Sequence, residues 1–533
     1  MSSDFRLRIK SEGHMYQFDL VETTPDRAEV TLNGVDYSIQ SDTDSKSIKR
    51  LILSQIGLPT TAEGLIRNIK HIAGIEEVSL TPIAKTHALA LSSLVPIAGL
   101  TASEKATSVK MDRLCESLAR EAFFSGSILI EKDSKVLLCK GYGMATETIP
   151  NKASSLFYIA STSKQFTAAA IMKLQEVGKI DLHQSINNYL PPEYQSEKWK
   201  DVTIHHLISN TSGLYNFQDI EDFEERSHIL TVDQMIKEEK EKELEFIPGS
   251  QFAYRNIGYE ILGSIIEHVS GMGYREYLLE NILIPAGMTS SDVQKDTHEL
   301  DSRTSVGYKL NDEATALVRG VPKEFRLFRA AGGVISTVSD LAKWSHILDD
   351  GGGVLKKESV TLMTTPNVDH YGYGLAEIDM GGKRVIQHNG GLSCYASTFC
   401  KYPDDNLFIT ILSNNQSVAL DNLAVRFVNI LSSPDSAVIE AVPSEDIDLS
   451  RFVGTYKCEI EPFQYSFSLS ETGRLNIIDV SGERPSPIFN SCLLSNGHVF
   501  VPEIGLEFEK RTDGKIYMYH PTQSDPIDIL TSI

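Results

Sequence analysis

The chain has 533 residues, 41% of them hydrophobic and 23% charged, with 72 acidic against 50 basic side chains and a formal net charge of −22 at pH 7. That length suggests about three domains at roughly 100–200 residues each, with apolar material for one large core and smaller satellites. A field of this sign repels phosphate backbones and anionic lipid, which argues against nucleic acid and membrane as partners; its ordinary role is solubility.

The opening Met1-Ser-Ser-Asp-Phe-Arg-Leu-Arg-Ile-Lys10 lacks the apolar core of a signal peptide. The most apolar later stretch, His87–Leu100, is short and broken by Pro96, whereas a bilayer span takes about 20 apolar residues. Six cysteines (Cys115, Cys139, Cys394, Cys400, Cys458 and Cys492) are scattered without a Cys-x-x-Cys pair. They suggest neither a zinc ribbon nor a disulfide framework and fit a reducing compartment. The sequence therefore reads as a soluble, cytoplasmic protein.

Alternation at Phe5–Ile9, Tyr16–Leu20 and Ala28–Leu32 predicts strands, and Asn33-Gly34 signals a hairpin into Val35–Ile39. Apolar residues at three and four spacings predict helices near Ile48–Ile56 and Ala62–Ile72. Residues 1–105 thus read as a small α+β domain without recognisable chemistry, with the Ser/Thr/Ala-rich Thr101–Ser108 as a linker.

Residues 106–434 form the expected second domain. Gly126–Glu131 and Lys135–Gly141 read as paired strands, and a helix is expected from Ser161 through Phe166, Ala169, Ala170, Met172, Leu174 and Val177. Another follows Asn256 through Ile257, Ile261, Leu262, Ile265 and Ile266, and Val385–His388 and Phe408–Ser413 read as strands. Strands at both ends with helices between predict one sheet built from distant segments. The Glu/Lys-rich run from Asp219 to Glu245 reads as a solvated surface helix. A proline-containing acidic linker, Ser433–Asp446, precedes a third domain, 449–533. Its short alternating strands, with turn signals at Thr472-Gly473, Asn496-Gly497 and Asp513-Gly514, predict a small antiparallel barrel.

Three segments of the second domain carry chemistry. Ser161-Thr-Ser-Lys164 puts a hydroxyl and an amine three residues apart, on one face of a helix. A serine at a helix start has backbone N–H groups and the dipole nearby, and a lysine in a dry cleft loses its charge and can serve as its base. Tyr254-Arg-Asn256 precedes a helix; a phenol beside a lysine can shuttle protons, and the Asn256 amide can orient Lys164 or a substrate carbonyl. His388-Asn-Gly390-Gly391 lies on a strand, where the glycines admit a substrate backbone and a following N–H can complete an oxyanion hole.

In that order the three segments resemble the Ser-x-x-Lys, Tyr-x-Asn and Lys-Thr-Gly or His-x-Gly motifs of serine β-lactamases and penicillin-binding proteins. The tyrosine makes the chain look like class C β-lactamases, D-alanyl-D-alanine carboxypeptidases, D-aminopeptidases and β-lactamase-like esterases. Ile204–Leu214, Leu283–Met288, Ala331–Leu341 and Tyr371–Gly374 agree with it, and the resemblance covers roughly residues 111–431. Arg451–Tyr456 is similar to the opening of the lipocalin-like barrel often appended to this family.

The expected fold class is α/β (α+β): the resemblance implies a β-lactamase/transpeptidase-like catalytic domain of antiparallel sheet and helices and a C-terminal lipocalin-like β-barrel, and the small α+β N-terminal domain, read from its own patterning, lies outside it. The chemistry implied is acyl transfer, with Ser161 as nucleophile and Lys164 and Tyr254 as acid–base partners. Asn256, His388, Gly390 and Gly391 would bind substrate, with the N–H groups of Ser161 and Gly391 as the oxyanion hole. No cofactor and no metal are implied. The partner is a small-molecule or short-peptide substrate, not nucleic acid or membrane, and the oligomeric state stays open.

Two departures bear on the substrate. His388 stands where β-lactamases carry a lysine, and a mostly neutral histidine is a poor anchor for a carboxylate. This favours a small amide, peptide or ester, with true β-lactamase or D,D-peptidase activity as the alternative and a catalytically silent scaffold as the alternative of another class. Arg255 fills the middle of Tyr-x-Asn and is expected to point away from the cleft. His205 and His206, adjacent on one helix, point in different directions and read as structural. Gly332-Gly333 reads as a turn or close packing, Cys394 as a strand cysteine, and Trp199 and Trp344 as core.

Overall fold

The N-terminal alternation forms β1 (Phe5–Ser11), β2 (His14–Glu22), β3 (Val30–Leu32) and β4 (Val35–Ser41), joined by β5 (Ile75–Pro82) in one antiparallel sheet of order β3-β4-β2-β1-β5. β3 and β4 pair antiparallel with Leu32 opposite Val35, the register a two-residue connection calls for; Asn33-Gly34 themselves lie outside the described residues. β5 was not foreseen. It pairs with β1, Val78 opposite Ile9, and a register shift at Lys10/Ser11 puts Ile75 out of step with Val78 and Leu80, which hides the alternation. This sheet belongs to one compact unit, Met1–Leu89, and the rest to another, Ala90–Ile533.

The structure, a computed structural model, describes those five strands and residues 100–532 apart from 122, 216–229, 295–302, 311–316, 321–327, 393, 417–418, 435–439, 443–447, 470–474, 482–488, 502–504 and 521–524. The helices expected at 48–56 and 62–72 lie outside the described residues.

Thr101–Ser108 is no linker. Thr101 caps α1 (Ala102–Arg120) with a full capping box to Glu104, and α1 buries Met111, Leu114, Cys115 and Leu118. The second unit's sheet draws β6 (Gly126–Lys132) and β7 (Lys135–Tyr142) from its start. From its end come β8 (Ala376–Asp379), β9 (Arg384–Leu392), β10 (Tyr395–Tyr402) and β11 (Leu407–Ser413). The order is β8-β9-β10-β11-β6-β7, and β6 meets β11 antiparallel, Ile130 opposite Ile409. Both faces are covered, which is why these strands read as continuous apolar runs. Leu129, Phe399, Phe408 and Leu412 face the layer containing α2 (Lys164–Glu176) and α3 (Asn256–Ser270). Ile128, Ile130, Ile409 and Ile411 face α1 and α4 (Leu420–Ser432). Trp199 and Trp344 are fully buried in the helical layer.

The C-terminal residues form a curled antiparallel sheet. Its strand Gly454–Cys458 pairs with the last, Asp528–Ser532, placing Cys458 opposite Leu530. Its interior is filled by Phe452, Tyr456, Phe467, Ile477, Val499, Phe508, Met518 and Leu530. Ala441-Val442, inside the expected linker, adds a strand to this sheet against Leu493-Leu494.

A buried charge pair ties this sheet to α4. Arg426 donates to Glu507 at 2.6 Å, His498 Nδ1 lies 2.9 Å from the other carboxylate oxygen, and the Arg426 guanidinium stands 4.3 Å over the Phe500 ring. Burial pushes the Glu507 carboxyl up, but the His498 hydrogen bond and the Arg426 charge outweigh it and hold it at about 2. The stabilisation is therefore present above the unfolded carboxylate's pKa and is lost as pH falls from there towards 2. Arg426→Met leaves the carboxylate buried without its cation and is expected to destabilise the chain by about 3–5 kcal/mol, read as a lower urea midpoint at pH 7. An unchanged midpoint would refute the pairing.

Candidate active site

Ser161 does not open an α-helix. Ala160–Ser163 is a 3₁₀ turn, and α2 begins at Lys164. In a 3₁₀ turn residues three apart eclipse, so Ser161 and Lys164 line up more directly than α-helical spacing implies. Ala160, just before the serine, has a left-handed φ of 48°, a conformation costing a non-glycine residue of order 1–3 kcal/mol. The turn is held from the sheet side: Thr162 Oγ1 donates to the His388 carbonyl at 3.2 Å, and Ser397 Oγ donates to the Ile159 carbonyl at 2.6 Å.

Lys164 is fully buried, and its Nζ donates to Ser161 Oγ at 3.1 Å, Asn256 Oδ1 at 2.7 Å and the Ala331 carbonyl at 2.8 Å. Burial brings its pKa down from 10.5 to about 7, against the opposing pull of Glu260. The ammonium position lies 4.8 Å from the Tyr254 ring centre and 5.4 Å from that of Tyr259. Burial holds the Tyr254 phenol above the usual tyrosine range, opposed by a hydrogen bond with Ser161. Hydroxyl, amine and phenol, drawn from two separated segments, thus converge at one point, with Asn256 at the start of α3 beside them.

β9 brings the third segment. β8 pairs only with Arg384–Gln387, so His388–Leu392 present an edge beyond β8's reach, next to the serine turn. His388 is 5% exposed; its Nδ1 lies 2.6 Å from the Asn389 carbonyl and its Nε2 3.0 Å from the Tyr371 hydroxyl. A carbonyl only accepts, so the proton sits on Nδ1 and Tyr371 donates to Nε2. Burial, then the charge of Lys164, push the imidazole down to about 3 despite the Asn389 bond, so it is neutral at pH 7.

The two glycines play different parts. A Cβ at Gly390 would lie 2.2 Å from the Ile159 carbonyl oxygen, 2.6 Å from Ser397 Oγ and 3.0 Å from Ala160 Cβ, whereas one at Gly391 meets only Gln416 Nε2 at 3.5 Å. Gly390→Ala is expected to push β9 off the serine turn, destabilising the fold by about 1–3 kcal/mol and slowing Ser161 acylation. Gly391→Ala should melt as the parent does. Equal thermal melts for the two variants would contradict this packing.

Three groups at this site were not foreseen. Tyr371 lies within the noted Tyr-Gly-Tyr-Gly segment and fixes His388. Ala331 opens the noted Ala331–Leu341 segment, but nothing in that segment assigned its carbonyl to Lys164. Glu260, fully buried, accepts from the Ala330 and Ala331 backbone N–H groups at 3.0 and 2.8 Å; a charge among Ile257, Ile261 and Leu262 was the signal that could have found it.

Arg255 is committed elsewhere: it donates to Glu245 at 2.5 Å, the Leu214 carbonyl at 2.9 Å and the Tyr254 carbonyl at 3.1 Å. Among its described residues the charged run is helical over Val232–Glu239, and the helix ends inside the Glu/Lys stretch. Residues 219–229 of that run lie outside the described residues. Glu239, buried rather than solvated, accepts from the Tyr215 N–H at 2.7 Å. His205 lies 2.7 Å from the Tyr373 hydroxyl, and His206 Nδ1 accepts from the Thr203 N–H at 3.2 Å. At Gly333 a Cβ would sit 2.7 Å from the Arg329 carbonyl oxygen, so that pair permits close packing. Cys394 is not on a strand but in the β9–β10 connection, with φ of 74°. Among the described residues no His/Cys/Asp/Glu cluster suits a metal ion, and no helix is long and apolar enough to cross a membrane.

The beta-lactamase family model matches residues 111–429. Penicillin-binding protein 4* of Bacillus subtilis (strain 168) is 30% identical over 329 residues, covering 57% of this chain and 71% of that protein; two further curated relatives are spanned over 66% and 63% of their length. Among solved structures, the octameric penicillin-binding protein homologue from Pyrococcus abyssi matches with a TM-score of 0.56 at 26% identity, over 79% of this chain and all but 1% of that one. The D-amino acid amidase from Ochrobactrum anthropi SV3 shares the fold with a TM-score of 0.53 at 22% identity, over 62% of this chain and 100% of its own.

Proposed function

This chain belongs to the beta-lactamase family, and from that premise we propose that it is a serine hydrolase that forms an acyl-enzyme on Ser161 and hydrolyses a small amide, peptide or ester. The observation that carries the reading is the 3.1 Å approach of Ser161 Oγ to a fully buried Lys164 Nζ.

With its pKa near neutrality, Lys164 is the base that fits this serine, while a phenol pushed upwards by burial is better suited to giving a proton than to standing as phenolate. Ser161 Oγ attacks the substrate carbonyl carbon as Lys164 takes its proton. The N–H groups of Ser161 and Gly391 stabilise the oxyanion, a contribution of about 3–4 kcal/mol per donor. Collapse breaks the bond to the leaving group, which takes a proton from Tyr254, and Lys164 restores the phenol. Water then attacks the acyl carbon, giving its proton to the Lys164–Tyr254 pair, and Ser161 recovers its hydrogen as the acid departs.

The neutral His388, satisfied at both nitrogens, offers no cation to a substrate carboxylate, and Arg255 is paired with Glu245. This favours substrates uncharged beside the scissile bond. The names of the relatives favour a second reading, D,D-peptidase or β-lactamase activity. Nitrocefin, short-chain p-nitrophenyl esters and D-amino-acid amides, assayed side by side, separate the two. Ester or amide turnover exceeding that of nitrocefin is expected; fast nitrocefin hydrolysis without either would overturn the preference.

A further inference from the structure

We propose that Glu260 is the positioning residue for Lys164, holding the 330–331 backbone so that the Ala331 carbonyl aims the amine at Ser161 and supplying the negative charge that balances the amine in the dry interior. Glu260 lies one turn beyond Asn256 on α3. Its Oε1 accepts from the N–H groups of Ala330 at 3.0 Å and Ala331 at 2.8 Å, and its Oε2 from Ala330 at 3.2 Å. Both partners are N–H donors, as an ionised carboxyl requires; burial raises the Glu260 carboxyl to about 7, opposed by the Arg329 charge, these backbone hydrogen bonds and Lys164. The carbonyl of the same Ala331 accepts from Lys164 Nζ at 2.8 Å. One residue therefore joins carboxylate to amine, and both ends of the link are fully buried.

A role limited to tying down the short helix Arg329–Gly332 would leave the amine's titration untouched. The surroundings make that titration readable. Facing Glu260 are Lys164 from α2, Arg329 from the short helix and Tyr274 from the helix Tyr274–Leu278 that follows α3. Arg329 is itself bound to Glu267 at 2.9 Å, and Tyr274 hydroxyl lies 2.7 Å from Thr167 Oγ1. Facing Lys164 are Tyr254, Tyr259 and His388, with Tyr371 behind His388. Burial drives all four tyrosines above their ordinary range and His388 far below its own. Between pH 5 and 9 the titration at Ser161 therefore belongs to Lys164 and Glu260 together.

The inference rests on Ser161 as nucleophile and Lys164 as its base, so the test scores that reading separately. The full chain is reacted with a fluorophosphonate probe from pH 5 to 9, and adduct formation on Ser161 is timed by intact mass. In wild type the rate should rise through a midpoint as Lys164 loses its proton. Glu260→Gln and the apolar Glu260→Met both remove the charge, and whichever folds should shift the midpoint down by roughly one pH unit. Labelling on the acid side should then lose about tenfold less than in wild type. Glu260→Asp keeps the charge and should keep the midpoint while labelling more slowly. Neutral variants that titrate as wild type does would overturn the role of Glu260 alone. Wild-type protein that acquires no adduct at any pH would overturn the nucleophile itself.

Discussion

Replacing Ser161 by alanine is expected to lower turnover of any amide or ester substrate by about 10⁴–10⁶-fold and to abolish the fluorophosphonate adduct. The residual rate would come from binding and oxyanion contacts, which survive the loss of a nucleophile in serine hydrolases. The fold should hardly notice. Ser161 sits in a turn anchored by Thr162 and by Ser397 Oγ on the Ile159 carbonyl. Lys164 keeps Asn256 and the Ala331 carbonyl as acceptors when the hydroxyl is gone. A Ser161→Ala protein that retains turnover, or is labelled like the parent, would show that another group carries the chemistry.

Lys164→Ala should lower turnover by about 10²–10⁴-fold, the range of a lost general base, and it should leave a second mark on stability. The Lys164 pKa falls from 10.5 in the unfolded chain to about 7 in the fold because burial disfavours the ammonium. Between those values the unfolded state binds more protons than the folded one, so wild-type stability rises with pH across that window. In Lys164→Ala that slope should flatten by up to one proton, about 1.4 kcal/mol per pH unit. Urea midpoints at pH 7.5, 8.5 and 9.5 measure it. Parallel pH profiles for variant and wild type would mean that the amine is not desolvated as described.

Read together, the two variants separate the parts of the site. Ser161→Ala removes the reacting atom and leaves the titration of Lys164 in place, so its stability profile should follow wild type. Lys164→Ala removes the titrating group and leaves the hydroxyl, so slow labelling of Ser161 should persist, losing the rise through about pH 7.

The sequence by itself determined whatever depends on near neighbours. Alternation sets strands, so the strands on either side of Asn33-Gly34 and the antiparallel strands of the C-terminal sheet were legible. Three-residue spacing sets a common face, so Ser161 and Lys164 were legible as partners, and Tyr254-Arg-Asn256 could be placed at the head of a helix. The apolar runs around Ile128–Ile130 and Ile409–Ile411 were legible as strands, and only the packing showed that both their faces are covered.

The tertiary structure alone decided the electrical state of the site, because desolvation and hydrogen-bond partners come from residues far away in the chain. His388 is neutral because Tyr371, 17 positions away, and the Asn389 carbonyl occupy its nitrogens in a dry setting. Arg255 is taken up by Glu245, and Lys164 feels Glu260 through a backbone segment some 70 residues further on. Periodicity reports which face of an element is buried. It carries no record of which distant charge that burial brings within reach.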